Sequence, residues 1–134
     1  MSVETLKRII SLQEQTERIE NKLESISGLT LNRYQELAEE TAIYPLPIIY
    51  PALGLAGEAG EVADKVKKVL RDHNSAFTQE IKREIAMEVG DVLWYCAAIA
   101  RDLGYTLEDI GMMNYEKLKS RQRRGAISGS GDNR

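Results

Sequence analysis

The chain contains very little cysteine, histidine, proline, phenylalanine or tryptophan. Its 134 residues include one Cys, one His, one Phe, one Trp and three Pro. Leu, Ala, Ile, Glu and Lys are abundant instead, and this balance favours helix over sheet. We therefore expect an all-α fold, and the length suits one domain with its own core.

Other features that the sequence lacks indicate where in the cell the protein is expected. Cys96 is the single cysteine, so no intrachain disulfide can form, and its place in an apolar helical run is typical of a small buried hydrophobe. The N-terminus lacks the apolar block of a signal peptide, and no window approaches the roughly 18 apolar residues of a membrane span. We expect a cytoplasmic protein with no membrane partner. The net charge of −3 is too small to indicate a class of partner.

Helical periodicity and stop signals divide the sequence into about five helices. The two central helices are joined by a short connection and are expected to pack antiparallel. Thr106 and Asp109 predict a capping box at the start of the last helix. The predicted fold is thus a helical bundle with a central antiparallel pair, its helices spanning 3–26, 31–41, 52–71, 78–103 and 107–124.

The first predicted helix has an apolar face with the spacing of a coiled coil. Apolar residues alternate with two threonines at steps of three and four residues over about three heptads. Two interpretations stay open: the helix packs on its own domain, or it makes a contact within an oligomer. The face consists of Thr5, Ile9, Leu12, Thr16, Ile19, Leu23 and Ile26.

Two pairs of carboxylates, one on each central helix, mark a candidate metal site. Glu58 and Glu61 are three residues apart, as are Glu88 and Asp91, so each pair shares a helix face. Glu88 also falls on the apolar stripe of its helix, where an unpartnered carboxylate is driven to protonate. One such pair alone is usually solvated surface. Two pairs on adjacent helices favour a divalent cation.

Glycines interleave with the first acidic pair. Gly54, Gly57 and Gly60 lie inside a predicted helix, where each costs roughly 1 kcal/mol relative to alanine. We interpret them as space for close helix approach or for ligand access.

The types of ligand present narrow both the metal and the reaction. Carboxylates without histidine or thiolate suit Mg²⁺, with Mn²⁺ as a substitute, rather than zinc or copper. Di-iron bundles need Glu-x-x-His on two helices, and the one histidine, His73, lies at a predicted turn. The chemistry most compatible with such a site is metal-assisted hydrolysis of a phosphate ester or anhydride.

Two further segments have more than one interpretation. The loop between Tyr44 and Tyr50 is apolar and aromatic, so it either fills core or stacks on a planar ligand such as a nucleobase. The last helix becomes basic from Lys117 onward, and a run such as Arg121-Gln122-Arg123-Arg124 is most often a solvated helix end. Nucleic-acid binding is the less favoured function for this basic end.

The acidic pattern resembles that of the MazG-like all-α nucleoside triphosphate pyrophosphohydrolases. The similarity includes the run E-V-G-D-V-L-W-Y around Glu88 and Asp91, then N-Y-E-K-L, R-x-x-R-G and the G-S-G-D-N-R ending. It covers the chain from Leu31 onward. The implied division is an N-terminal helix over 1–28, a pyrophosphohydrolase domain over 29–124 and a Gly/Ser-rich tail over 125–134. Gly57 stands where a related dimeric dUTPase branch has glutamate, which speaks against that branch.

The resemblance implies hydrolysis of a nucleoside triphosphate to the monophosphate and pyrophosphate with Mg²⁺. It also implies a homodimer or homotetramer and a tail that either folds over the nucleotide or stays disordered. We expect a (deoxy)nucleotide substrate, such as the purine dGTP if the Tyr44–Tyr50 loop stacks a large ring. The alternatives are a phosphoribosyl-ATP-type pyrophosphohydrolase and a non-catalytic helical module that binds nucleotides or nucleic acid. Carried over by position from the family, the metal ligands are Glu58, Glu61, Glu88 and Asp91. Glu61 is also the catalytic residue that contacts the attacking water. The residues that bind phosphate are Asn114, Lys117 and Arg121.

Overall fold

The protein is an all-α chain, as the sequence predicts. A computed structural model describes residues 2–26 and 28–124, and within those ranges it contains helices and no strand. The predicted tail over 125–134 lies outside the described residues. The helices are α1 (Val3–Ile26), α2 (Leu31–Glu39), α3 (Ile49–Asp72), α4 (Gln79–Asp102) and α5 (Leu107–Arg123).

The start of α3 was predicted wrongly at Ala52. The helix begins three residues earlier, at Ile49, and Pro51 lies buried in its first turn. Proline is tolerated there because the first N–H groups of a helix have no intrahelical acceptor, so the missing donor costs nothing. The other bounds differ less: α2 ends at Glu39 rather than at Thr41.

Side-chain caps define the starts of α4 and α5. Thr78 precedes α4 and accepts a hydrogen bond from the Ile81 N–H at 3.3 Å. Thr106 accepts from the Asp109 N–H at 3.0 Å, while the Asp109 carboxylate accepts from the Thr106 N–H at 3.0 Å. The predicted capping box is therefore confirmed.

The chain divides into two compact units, one up to Thr30 and one from Leu31 onward. The first unit contains α1, whose described side chains are all exposed. Ser2 accepts a hydrogen bond from the Thr5 N–H at 3.2 Å, and Gly28 has a positive φ of 84° just after the helix.

In the second unit, α4 is the helix that the others contact. It packs along α3 and also contacts α2 and α5, and α5 contacts α2. The core is built mainly from small residues, with Ala38, Ala97 and Ala100 buried beside Leu107. Tyr34, Trp94, Cys96 and Ile110 pack against this core and are partly buried. Burial raises the pKa of the Cys96 thiol.

Asp102 holds the loop between α2 and α3. Its carboxylate accepts hydrogen bonds from the Tyr44 hydroxyl at 2.9 Å and from the Ile48 N–H at 2.8 Å. Ile48 has a φ of 69°, a left-handed conformation that costs energy for a β-branched residue. The Tyr44 ring stacks on Tyr50 with centroids 5.6 Å apart. The Tyr44 side chain thus makes contacts within the fold, with Asp102 and Tyr50.

None of the helices in the described ranges has the length and apolar character needed to cross a membrane.

Candidate metal centre

Three of the predicted metal ligands lie together. Glu58 on α3 and Glu88 and Asp91 on α4 each offer a carboxylate oxygen, and these oxygens lie within 4.8 Å of one another. Glu58 and Glu88 are half-buried, whereas Asp91 is exposed. Like charges this close repel one another, and a divalent cation between them would remove that repulsion.

The two helices meet in opposite directions. Gly54, near the start of α3, lies against Tyr95 in the second half of α4, while Lys65 further along α3 reaches Glu84 near the start of α4. Contacts in this order are those of an antiparallel pair. They place residue 58 opposite the stretch from 88 to 91, which is why the two acidic motifs meet.

Gly54 allows this close approach. A Cβ at position 54 would overlap the Tyr95 ring, so any larger residue forces the helices or the ring to move. At Gly57 and Gly60 a Cβ would meet no atom within 4 Å. Of the three glycines, Gly54 is therefore the one at which the structure shows a need for space.

Glu61 lies outside the group of three. It is an exposed residue of α3, one turn beyond Glu58. Although Glu61 shares a helix face with Glu58, its carboxylate is not among the oxygens that lie within 4.8 Å of one another. The role of Glu61 as a ligand and as the catalytic residue stays a prediction.

Lys65 is a charged neighbour of the site that the sequence interpretation did not single out. Its ammonium lies 3.3 Å from the Glu88 carboxylate and 3.6 Å from Glu84. The hydrogen bond to Glu88 is the main reason why the pKa of Lys65 is raised, and burial opposes that rise. The sequence carried a signal, because Lys65 is two helical turns beyond Glu58 and hence on the same face.

Two tyrosines, Tyr34 and Tyr95, lie near the carboxylates. Burial, together with nearby Tyr50 and Glu58, raises the pKa of Tyr95. Burial and the charge of Asp91 raise the pKa of Tyr34 in the same way. A raised pKa keeps both phenols protonated, so they are neutral neighbours of the carboxylates. Tyr95 is one turn after Asp91, a spacing that could have indicated it.

The predicted phosphate-binding residues lie on α5. Asn114 and Lys117 are exposed, and Arg121 is buried, with 7% of its surface accessible. Asn114 and Arg121 are two turns apart and share a face, with Lys117 between them. None of the three belongs to the carboxylate group on α3 and α4.

The donor set fits Mg²⁺ or Mn²⁺. Three carboxylates converging from two helices supply hard oxygen ligands and leave room for water or substrate oxygens. His73 caps the C-terminus of α3 and contributes nothing to this group. Fold and site together define an all-α protein with a carboxylate centre suited to a divalent cation.

Comparison with known sequences identifies the family. The sequence model of the MazG nucleotide pyrophosphohydrolase domain matches residues 51–125, more than half of the chain, and includes all of the carboxylate centre. The chain belongs to this family, whose members are hydrolases acting on acid anhydrides, and the resemblance predicted from the acidic motifs is confirmed.

A relative of this chain is a phage protein. The chain is 47% identical to the Gene 37 protein of Mycobacterium phage L5 over 109 residues, which cover 75% of this chain and 96% of the phage protein. No solved structure matches the chain.

Proposed function

We propose that the protein is a Mg²⁺-dependent pyrophosphohydrolase that converts a (deoxy)nucleoside triphosphate to the monophosphate and pyrophosphate. The observation that carries this proposal is the convergence of Glu58, Glu88 and Asp91 across the α3–α4 pair, within the residues that match the family. Family membership supports a nucleotide as the substrate. The carboxylate centre supports a metal requirement.

The residues at and beside the centre are proposed to have different roles, cation binding and proton acceptance. Glu58, Glu88 and Asp91 would hold the cation, which polarises phosphate oxygens and lowers the pKa of water when bound. Glu61, exposed one turn away, would accept the proton of the attacking water. The anhydride bond between the α- and β-phosphates breaks, one water is consumed, and pyrophosphate leaves.

Positive and amide groups on α5 would complete phosphate binding. A triphosphate bound to one divalent cation still carries excess negative charge, so Asn114, Lys117 and Arg121 are proposed to hold its oxygens. The basic composition of the last turn of α5 supports this assignment.

The base and the assembly are further parts of the proposal. Tyr50 stacks on Tyr44 yet stays 44% exposed, which supports a purine such as that of dGTP as the base.

Large apolar side chains at Leu53 and Met87 are 70% and 65% exposed, which supports a homodimer or homotetramer.

Identification of products tests the reaction. The purified chain is incubated with each common ribo- and deoxyribonucleoside triphosphate, and with phosphoribosyl-ATP, in Mg²⁺ or Mn²⁺. We expect release of monophosphate and pyrophosphate, fastest with a purine deoxynucleotide, and loss of activity when EDTA is added. Release of orthophosphate and a diphosphate would contradict the proposed bond, and turnover of phosphoribosyl-ATP alone would contradict the proposed substrate.

A further inference from the structure

The seam of α1 is an exposed apolar face with strict heptad spacing. We define the α1 seam by its described members, which follow one another at steps of four and three residues. Four of them are large apolar side chains with exposed fractions of 39%, 56%, 60% and 61% in chain order. The seam consists of Thr5, Ile9, Leu12, Thr16, Ile19 and Leu23.

We propose that the α1 seam pairs with the same seam of a second copy of this chain, as a parallel, in-register coiled coil. The strict repeat is the first reason, because a helix that packs on an irregular globular surface needs only the 3.6-residue period. α1 also lies outside residues 51–125, so the seam is not part of the sequence that matches the MazG domain.

The two threonines do not prevent burial of the seam. The Thr16 hydroxyl donates to the Leu12 carbonyl of its own helix at 2.9 Å. The Thr5 hydroxyl shares a hydrogen bond of 2.8 Å with the Ser2 hydroxyl. Because each hydroxyl has a hydrogen-bond partner within its own chain, burial in a coiled coil leaves neither without one.

Charge and polarity select the parallel, in-register arrangement. In that arrangement each threonine meets its own copy, and Arg8 beside the seam faces Gln13 of the other helix. In the antiparallel arrangement with full overlap, Arg8 would face Lys22 and Thr16 would face Leu12. Like charges and mismatched polarity therefore disfavour that alternative.

The charges on α1 favour a helix partner over a lipid surface. The helix carries five acidic and four basic residues. Helices that bind anionic membranes have a polar face dominated by Lys and Arg, which α1 lacks. Mixed charge around an apolar seam is instead the pattern of helices that pair with one another. Pairing would hold two MazG domains at a high local concentration.

Disulfide trapping tests both the contact and its orientation. In a Cys96→Ala background, Thr16→Cys places a thiol in the seam, where the two copies would lie within disulfide reach. Glu14→Cys places a thiol on the opposite face of the same helix as the matched control. Under mild oxidation we expect at least tenfold faster cross-linking of the full chain for Thr16→Cys than for Glu14→Cys.

Two further variants keep the test decisive. Adding Leu12→Asp and Ile19→Asp to the Thr16→Cys chain is expected to slow cross-linking about tenfold while circular dichroism of the chain stays helical. Equal cross-linking of the seam and control positions would overturn the proposal. Preferential cross-linking between a Leu12→Cys chain and a Thr16→Cys chain would also overturn it, since only antiparallel helices bring those two positions together.

Discussion

At the scale of single residues, the site consists of three carboxylates and one lysine. Glu58, Glu88 and Asp91 come within 4.8 Å of one another, and Lys65 supplies positive charge at 3.3 Å from Glu88. A divalent cation entering the group would meet this ammonium as a competitor for Glu88. Lys65 therefore offsets the repulsion among the carboxylates, and we predict that it weakens binding of a divalent cation there.

Replacing Lys65 tests this competition. Lys65→Met keeps much of the apolar stem and removes the charge, so affinity for Mg²⁺ or Mn²⁺ should rise about three- to tenfold. Titration calorimetry with the metal alone measures the effect. Lys68→Met is the matched control, because Lys68 pairs with Asp64 at 2.6 Å and not with the site. Weaker metal binding by Lys65→Met would show that Lys65 supports the metal instead.

Two neighbouring glycines should respond in opposite ways to the same substitution. Gly54→Ala drives a Cβ into the Tyr95 ring, so the free energy of unfolding should fall by about 1–3 kcal/mol. Gly57→Ala meets open space inside α3, so unfolding should require about 0.5–1 kcal/mol more. Urea unfolding of the two variants measures both values. Equal effects would contradict the close approach at Gly54.

The residues that the sequence could predict are those whose role follows from spacing along one helix. The acidic motifs predicted Glu58, Glu88 and Asp91, and the structure places these three together. Spacing places Lys65 on the same face as Glu58, but its ion pair with Glu88 could not be predicted, because that pair depends on which residues of α4 lie opposite Lys65. That information resides in the packing of α3 on α4 rather than in either helix.

At the scale of elements, the sequence predicts which segments form helices better than it predicts where each helix begins and ends. Caps and periodicity predicted α1 and α5 to within one residue of the observed bounds. The predicted start of α3 is too late because proline usually marks the end of a helix, whereas Pro51 fits the first turn of this one. The Asp102 contacts that hold the preceding loop join residues far apart in sequence, so no local pattern could have revealed them.

Asp102 makes the loop before α3 sensitive to acid. Burial opposes ionisation of Asp102, but hydrogen bonds from the Ile48 N–H, Arg101 and Tyr44 outweigh it and hold the pKa below 3.8. A lowered pKa means that the carboxylate stabilises the fold above about pH 4 and that this contribution is lost as the pH falls further. The side chain is 5% exposed, so solvent screens these contacts little.

Asp102→Asn should therefore cost more stability at neutral pH than in acid. We expect the variant to lose about 1–3 kcal/mol at pH 7 and progressively less as the pH falls below about 4. Urea unfolding across this pH range measures the difference. Asp72→Asn is the control, because Asp72 is 45% exposed and pairs with its neighbour Arg71 at the surface. A loss for Asp102→Asn that does not change with pH would contradict the assigned pKa direction.

At the scale of the whole molecule, a small alanine-rich core coexists with much exposed apolar surface. Ala38, Ala97 and Ala100 form most of the buried cluster around Leu107, whereas Leu53 and Met87 are largely exposed. Composition predicted the fold class because it sets helix propensity. It could not predict how helices pair, since that depends on the shape of the packed surfaces. The exposed apolar area supports association through the MazG domain in addition to the pairing proposed for α1.

The central claim is that the carboxylate group on α3 and α4 holds the metal that drives nucleotide hydrolysis. The most direct measurement is pyrophosphate release by Glu88→Gln over a range of Mg²⁺ concentrations. Glu84→Gln is the matched control, since Glu84 lies one turn earlier on α4 and also contacts Lys65 but is outside the group of three. We expect Glu88→Gln to lose at least about a hundredfold in turnover, with weaker metal binding, and Glu84→Gln to retain turnover within about threefold of the unmodified chain. Unchanged turnover in Glu88→Gln would contradict the account.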